Sequence, residues 1–489
     1  MKVALDGHYG YRRLIMSSVP SIAMVLVGGI YSIVDGLFVS NVVGTTAFAA
    51  LNVIWPAVML VGALGLMVGT GGAALIGKTL GEGDRERASE IFSMLVRFIV
   101  LLSLVFMAPM LLLMAPLARL LGASGEMVHL CVIYGSICTI GLPAFMLQMA
   151  FQSFYMAAEK PHLGTMMSVV CAVTNMALDA LFILVFRWGL TGAAAASMLA
   201  CCVGGGFPLW YFSSRRNDSS LRLVRVMRRG VAVCKAEAGA GDGDAVAGAG
   251  AGDAVAADAA AADGRQERRA WLGFERAPLA QACSNGASEY VGNISFNILA
   301  ICYNMQLLRM MGENGVAAYS IILYYGYVCA AVFFGFNITV TPIVGFNYGA
   351  DNRLELRSLL RHSLVVLLAA GGVMTLLAEI FAEPAARLFV GYDANLTALS
   401  AHAFRLSMLS FVIAGVNLFI SAWFTGLGNG KVSAVASFVR NLVLELGFVF
   451  LLPALLGADG IWLAVDAADL VFLIIGIALL SRYRKRYGY

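Results

Sequence analysis

Two short patterns in one stretch of the sequence resemble known chemical sites. Residues 71–84 read GGAALIGKTLGEGD. The first part has the spacing of a phosphate-binding loop, G-x-x-x-x-G-K-T, in which backbone amides and the lysine hold nucleotide phosphates. The last part, Gly81 to Asp84, has the G-x-G-D pattern of an intramembrane aspartyl protease. The loop needs a preceding β-strand and the protease needs aspartates inside membrane spans. Here an apolar helical run precedes the glycines and Asp84 itself lies in a basic loop, so this stretch has neither context and we expect no enzyme.

Two isolated carboxylates are better candidates for chemistry. Asp35 lies in the apolar run IYSIVDGLFVS and Asp179 in TNMALDALFIL. A carboxylate at the centre of a bilayer costs roughly 2.5–3.5 kcal/mol on insertion scales, which makes each one a functional candidate. Asn175 lies one helical turn before Asp179 on the same face. Ser197 falls at a similar depth in the next span. We predict a cluster of Asp35, Asn175, Asp179 and Ser197.

The chemistry of this predicted cluster is that of a cation site. All of its ligand atoms are oxygens, which suits a proton or a hard cation such as sodium. Two neighbouring carboxylates in a low dielectric resist being ionised together, so a bound cation would relieve their repulsion. The alternative for each aspartate is a structural hydrogen bond to a neighbouring tyrosine, serine or backbone group.

The second half of the chain has charges of its own. They are Glu289, Glu379, Arg440, Glu445, Asp466 and Asp469. Glu445, Asp466 and Asp469 lie well inside apolar runs, whereas Glu289 and Glu379 fall nearer the ends of theirs. The acids either bind a cationic substrate or pair with Arg440, and the sequence leaves both alternatives open.

The elements that position these residues are membrane-spanning helices. Of 489 residues, 60% are hydrophobic and 13% are charged, against about 45–50% and about 25% in soluble domains. Apolar runs of the length that crosses a bilayer recur along the chain. We expect an all-α membrane protein with twelve spans, which start near Leu14, Leu51, Ile91, Met127, His162, Gly189, Ala282, Val316, Ser358, Leu396, Val432 and Gly460.

Lysine and arginine set the expected orientation. They concentrate in every second loop, beginning with the N-terminal segment and ending with the C-terminal segment RYRKRYGY. By the positive-inside rule both termini are cytoplasmic. We expect a multi-pass protein of the plasma (inner) membrane, with no cleaved signal peptide. The net charge of +4 reflects this loop bias and gives no reason to expect nucleic acid as a partner.

The chain divides into two repeated halves and a linker. Residues 214–276 begin basic and continue as an Ala/Gly/Asp tract, which we predict to be a disordered cytoplasmic linker. Residues 1–213 and 277–489 then form two six-helix lobes. Many residues of the first half recur 268 positions later in the second half. For example, Gly77 begins GKTLGEGDR and Gly345 begins GFNYGADNR, and 345 minus 77 is 268. An even number of spans per half makes the two lobes parallel repeats, and transporters of this kind hold substrate between such halves.

The repeat also tests the opening pattern. The second copy lacks the Lys-Thr pair and the G-x-G-D, but it keeps Gly77 and Gly81 as Gly345 and Gly349. The shared feature is therefore a glycine scaffold and not a nucleotide site. We expect these glycines to let the chain reverse at the cytoplasmic turn after the second span.

The chain resembles the multidrug and toxic compound extrusion (MATE) transporters of the bacterial and archaeal DinF-like or MepA-like type. The resemblance rests on two six-helix halves and on the order of YSIVDGLFVSNVVGTTAFAALNVIWP, TLGEGDRERA, NMALDALFIL and GLTGAAAAS. It implies the two-lobed fold of the family and a coupling-ion cluster that matches Asp35, Asn175, Asp179 and Ser197. The position of Ser197 is often threonine in the family. A proline that bends the first helix on protonation matches Pro20.

The resemblance implies a monomeric antiporter that exports cationic, amphipathic drugs or toxic compounds in exchange for protons or sodium. It implies no organic cofactor, with small molecules and the lipid bilayer as the only partners. One alternative is a flippase of lipid-linked glycans or other amphiphiles from the same superfamily. Twelve spans and buried acids do not favour it. A second alternative is an intramembrane enzyme, for which Asp35 and Asp179 would be the only candidate dyad.

Overall fold

Helices account for the regular structure in the described part of the chain. The computed structural model describes residues 4–214, 217–224, 274–390 and 393–489. Ten helices there are long and apolar enough to cross a membrane, and two bent helix pairs bring the number of spans to twelve. Lipid offers no partner for free backbone groups, and helices satisfy all of theirs internally. The all-helical class and the span count are as predicted.

The first six spans form one lobe. Their bounds are Tyr11–Phe38, Thr45–Gly81, Arg85–Leu120, the pair Glu126–Ile140 and Leu142–Ala157 bent by 60°, Pro161–Val185, and Gly189–Ser213. We number them spans 1 to 6. Span 1 continues into a π-helical segment, Val39–Val43, and the last part of span 5, Ala180–Val185, is also π-helical.

The last six spans repeat this order and form the second lobe. Their bounds are Arg276–Gly312, Asn314–Gly349, Arg353–Val390, the pair Ala394–Ser407 and Phe411–Gly426 bent by 45°, Gly430–Leu456, and Ala464–Tyr487. We number them spans 7 to 12. Span 11 contains a π-helical segment, Phe438–Glu445, and a short helix, Ala458–Trp462, precedes span 12.

The predicted linker lies mostly outside the described residues. Its first described part, residues 217–224, packs on span 3 of the first lobe. The backbone N–H of Val224 donates to Ser93 Oγ at 2.9 Å, and Lys160 Nζ donates to Asp218 at 2.6 Å. The basic first part of the predicted linker is likewise described only as far as residue 224.

The glycines of the opening stretch join the two lobes. Span 2 runs through Gly77 to Gly81, and the turn that follows is made by Gly83 at φ +89° and Asp84, whose side chain accepts the N–H of Arg87. The expectation that Gly77 and Gly81 let the chain reverse is therefore wrong. They let spans 2 and 8 meet backbone to backbone, because a Cβ on Gly81 would lie 2.0 Å from the carbonyl oxygen of Phe346.

This contact, which we call the glycine seam, has a second copy related by the repeat. A Cβ on Gly77 would lie 2.5 Å from the carbonyl oxygen of Pro342. A Cβ on Gly345 would lie 2.5 Å from that of Ala74, and one on Gly349 would lie 2.0 Å from that of Lys78. The glycine seam lies at the end of the bundle that carries the turn between spans 2 and 3. We call this end, which the charge pattern predicts to be cytoplasmic, the inner end.

The N-terminal segment adds a polar contact between the lobes at the inner end. The N–H of Leu5 donates to Glu159 of the first lobe at 2.9 Å. The N–H of Tyr9 and His8 Nδ1 both donate to the carboxylate of Glu355 in span 9, at 2.7 and 2.8 Å. Tyr9 is fully buried. Residues 4–10 therefore bridge both lobes where the glycine seam closes.

We predict that Gly81→Ala and Gly349→Ala lower the thermal stability of the purified protein. Their new methyl groups would meet backbone that cannot move aside alone, and overpacking of this kind costs about 1–3 kcal/mol. Matched controls are Gly206→Ala and Gly372→Ala, where an added Cβ has nothing within 4 Å. Alanine favours a helix by about 1 kcal/mol over glycine, so the controls should melt no lower than wild type. Equal melting temperatures in both pairs would contradict the close approach.

Candidate functional site

Asp35 and Asp179 meet inside the first lobe. Asp35 lies near the end of the α-helical part of span 1, and Asp179 ends the α-helical part of span 5. The side chains are 9% and 0% exposed, and the two carboxyl groups are neighbours. Two ionised carboxylates are both acceptors. A proton or another cation between them would relieve their repulsion.

Asn175 and Ser197 complete the polar surroundings. Asn175 is buried one turn before Asp179, and its Nδ2 donates to Ser197 Oγ in span 6 at 3.2 Å. The Asn175 amide oxygen is left free by this orientation. The four residues named from the sequence thus form two contacting pairs on spans 1, 5 and 6. We call them the first-lobe cluster.

Several oxygens of the first-lobe cluster have no donor. Among the described residues, no hydrogen bond reaches Asp35 Oδ1, Asn175 Oδ1 or either carboxylate oxygen of Asp179. Buried polar atoms are normally paired, because an unpaired one costs about 1–3 kcal/mol and a charged one costs more. The set consists of oxygens only, which fits a proton or sodium better than a soft transition metal.

The backbone departs from a regular α-helix next to both aspartates. The π-helical segment Val39–Val43 begins four residues after Asp35, and Ala180–Val185 begins directly after Asp179. Isolated π-helical turns inside longer helices are frequent at functional sites. The sequence carries no simple signal for them, since the residues involved are ordinary apolar ones.

Pro20 stands apart from the first-lobe cluster. It lies fifteen positions before Asp35 on the same helix (35 minus 20), about 22 Å away at 1.5 Å per residue. Proline has no N–H, so the helix lacks one internal bond there. The Pro20 carbonyl oxygen accepts a hydrogen bond from Thr165 Oγ1 in span 5 at 2.7 Å. Sequence reasoning missed Thr165, which has no distinguishing signal.

The second-lobe acids are mostly engaged by protein groups. Arg440 Nε and Nη2 donate to the two carboxylate oxygens of Asp469 at 2.7 and 3.2 Å, and Nη2 lies 3.4 Å from Glu445. The carboxylate of Asp466 accepts the backbone N–H of Ser410 at the bend of span 10. The sequence left two alternatives open for these acids, binding of a cationic substrate and pairing with Arg440. Asp469 and Glu445 pair with Arg440.

One acid of the second lobe is less constrained. Glu289 is half-buried in span 7, three residues after Gly286, whose Cβ would lie 1.8 Å from the carbonyl oxygen of Met67 in span 2. Residues three apart share a helix face, so Glu289 lies beside a direct contact between the lobes. Sequence reasoning missed Asn417, which donates to Asp469 Oδ1 at 3.0 Å. Its signal was an isolated amide in an apolar run.

Comparison with known proteins follows the same division into halves. The MatE family model matches residues 20–181 and 290–451. The multidrug export protein MepA of Staphylococcus haemolyticus is 17% identical over 97% of this chain and 94% of its own length. The probable multidrug resistance protein YoeA of Bacillus subtilis is 19% identical over 95% and 92%. A crystal structure of MATE in complex with MaL6 superposes with a TM-score of 0.84 at 20% identity, covering 99% of this chain and 98% of that one.

We predict that the cation for the first-lobe cluster stabilises the folded protein. Saturating a site to one hundred times its Kd adds about 2.7 kcal/mol. The melting temperature of wild type should rise with sodium at fixed pH if the ion is sodium. It should rise with acidification at fixed sodium if the ion is a proton. Asp35→Asn and Asp179→Asn should lose this dependence. Asp393→Asn, at an exposed helix cap, should keep it. A wild-type melting temperature insensitive to both ions would contradict the site.

Proposed function

The chain belongs to the MatE family, whose members are membrane transporters and not enzymes, and on this premise we propose that it is a secondary active antiporter. We infer that it exports organic compounds that are cationic and amphipathic, in exchange for inward movement of protons or sodium ions. The similarity to multidrug export proteins over nearly the whole chain supports the export of drugs.

One observation carries the proposal. Asp35 and Asp179 are buried together in the first lobe, and among the described residues Asp35 Oδ1 and both carboxylate oxygens of Asp179 have no donor and no side-chain cation bonded to them. A cation that enters from outside balances one of the two negative charges and lowers the cost of keeping the pair buried. Inward movement of one charge down a potential of about 100 mV supplies roughly 2.3 kcal/mol. The first-lobe cluster is thus where ion movement would be converted into a change of structure.

Span 1 supplies a physical route from the cluster to the lobe interface. Ser21, the residue after Pro20, accepts a hydrogen bond from Thr339 Oγ1 of span 8 at 2.9 Å. A Cβ on Gly335 of span 8 would lie 2.5 Å from the Cα of Ile22. A bend at Pro20 would therefore move the residues through which span 1 touches the other lobe. We propose that neutralisation of the first-lobe cluster repacks span 1 about this proline.

The second half of the cycle would act on the inner end. Alternating access requires the lobes to separate at the glycine seam and at the bridge made by residues 4–10. Substrate would enter between the lobes once they separate there. The ion would leave the cluster to the cytoplasm, which restores the charged pair and resets span 1.

Glu289 supports a preference for cationic cargo. Its carboxylate is half-buried beside the contact with Met67, and it makes no ion pair within the described part of the chain. An organic cation between the lobes would find there a negative charge that no protein cation neutralises. The chain also has 23 methionines, and methionine side chains adapt to ligands of different shape.

The test of the proposal is dye efflux in sealed vesicles with an imposed ion gradient. Wild type should drive a cationic dye out, whereas Asp35→Asn and Asp179→Asn should reduce gradient-driven efflux to the level of vesicles without protein. Asp393→Asn is the control, because it keeps its cap and is remote from the cluster. Undiminished transport by both cluster variants would exclude the proposed mechanism. Movement of lipid-linked glycans without dye efflux would favour the flippase alternative.

A second prediction concerns the cargo. Glu289→Gln removes the charge but keeps the shape, so efflux of a cationic dye should fall several-fold while that of a neutral dye changes little. Glu379→Gln is the matched control, since Glu379 lies 3.8 Å from Arg405 in a partly exposed pair. An equal fall for both dyes would show that Glu289 acts through structure and not through charge.

A further inference from the structure

The second lobe carries a charge cluster on the spans that correspond to those of the first. Spans 11 and 12 repeat spans 5 and 6. Glu445 lies two residues before Gly447, the counterpart of Asp179 (447 minus 179 is 268), and Asp469 lies four residues after Val465, the counterpart of Ser197. Each lobe therefore has a buried pair of carboxylates in its cluster. In the second lobe, Tyr303 replaces Asp35 (303 minus 35), and its hydroxyl donates to the Ile461 carbonyl oxygen at 2.8 Å.

The two clusters also share a backbone feature. Arg440 and Glu445 both belong to the π-helical segment Phe438–Glu445, just as π-helical segments follow Asp35 and Asp179. The irregular turn places Arg440 and Glu445 on one side of span 11, where both approach span 12. The side chains of Glu445 and Asp469 are 9% and 0% exposed.

Arg440 is held on all of its nitrogens. Nε and Nη2 form a two-pronged bond with Asp469, and Nη2 also approaches Glu445. Nη1 donates to Asn441 Oδ1 at 2.9 Å. Bidentate arginine–carboxylate pairs combine charge with fixed geometry. The Arg440 side chain is 11% exposed, so water replaces few of these contacts.

The difference between the lobes is the source of the positive charge. In the first-lobe cluster, both oxygens of Asp179 lack any hydrogen-bond partner among the described residues. In the second lobe, both oxygens of Asp469 are bonded by the guanidinium, and Asn417 adds a third bond. A buried carboxylate must be compensated in either case. The second lobe does so with the Arg440 side chain, and among the described residues the first-lobe cluster has no such cation.

We propose that Arg440 is a tethered cation. It supplies the buried carboxylates of the second lobe with a permanent positive charge, whereas the coupling ion supplies those of the first lobe only while it is bound. The second lobe then holds one positive charge against Asp469 and Glu445 throughout the transport cycle, as the first lobe does when its coupling ion is bound, and it exchanges no ion with solution. Coupling is confined to one lobe, which fixes one ion site per cycle. This inference rests on the proposed function, because it assumes that the first-lobe cluster takes up the coupling ion.

A gain of ion binding tests the proposal. In an Asp35→Asn/Asp179→Asn background the melting temperature should no longer respond to sodium or pH. Adding Arg440→Gln leaves Asp469 and Glu445 without a cation, so ion-dependent stabilisation should reappear. Adding Arg440→Lys keeps a tethered charge and should not restore it. No response with Arg440→Gln, or an equal response with Arg440→Lys, would overturn the proposal.

A further variant decides the matter if Arg440→Gln does not fold at any ion concentration. Arg440→Gln/Asp469→Asn removes both charges of the bidentate pair and keeps their approximate shape. In an otherwise wild-type chain, folding and dye efflux with unchanged ion dependence would support a role of Arg440 in charge balance. A folded double variant without efflux would overturn it, since the guanidinium itself would then be required. Failure of wild type to export dye would instead reject the proposed function, whatever the Arg440 variants do.

Discussion

A carboxylate buried in an apolar bundle must be matched by a positive charge, and this requirement organises the molecule. The two lobes share one scaffold of six spans but meet the requirement differently. In the first lobe Asp35 and Asp179 carry oxygens that no donor among the described residues satisfies. In the second, Arg440 bonds Asp469 through two nitrogens. On our proposal, the duplication separates a lobe whose charge balance depends on an ion from solution from one whose positive charge is a side chain of the protein.

In the proposed mechanism, span 1 connects that charge balance to movement of the lobes. Span 1 carries Asp35 at one end, and near the other it carries Pro20 and the residues that touch span 8. A helix transmits a displacement along its length because its hydrogen bonds are local and continuous, and proline interrupts one of them. The Thr165 hydrogen bond to the Pro20 carbonyl anchors this weak point to span 5, which also carries Asp179. Cluster and weak point therefore share the same two helices.

The sequence predicts most of the scaffold and part of the site. Apolar length gave twelve spans, the offset between the halves gave two lobes, and isolated polar residues in apolar runs gave Asp35, Asn175, Asp179 and Ser197. The sequence did not predict which side chains pair. Whether Glu445 contacts Arg440 depends on a π-helical turn, and no residue type predicts such a turn. The glycines were misplaced for a related reason. Glycine serves both turns and close helix contacts, and only the path of span 8 distinguishes Gly81 from Gly83.

The glycine seam has the symmetry of a dimer interface. Gly77 meets the carbonyl of Pro342 and Gly345 meets that of Ala74; Gly81 meets Phe346 and Gly349 meets Lys78. Exchanging each residue for its counterpart 268 positions away converts each contact into its partner, so the same surface patch is used twice, as in an isologous two-fold contact. A single half of the chain therefore carries both sides of the seam. Two separate copies of a six-helix protein would contain everything needed to build it, and a fusion of the two genes would preserve it.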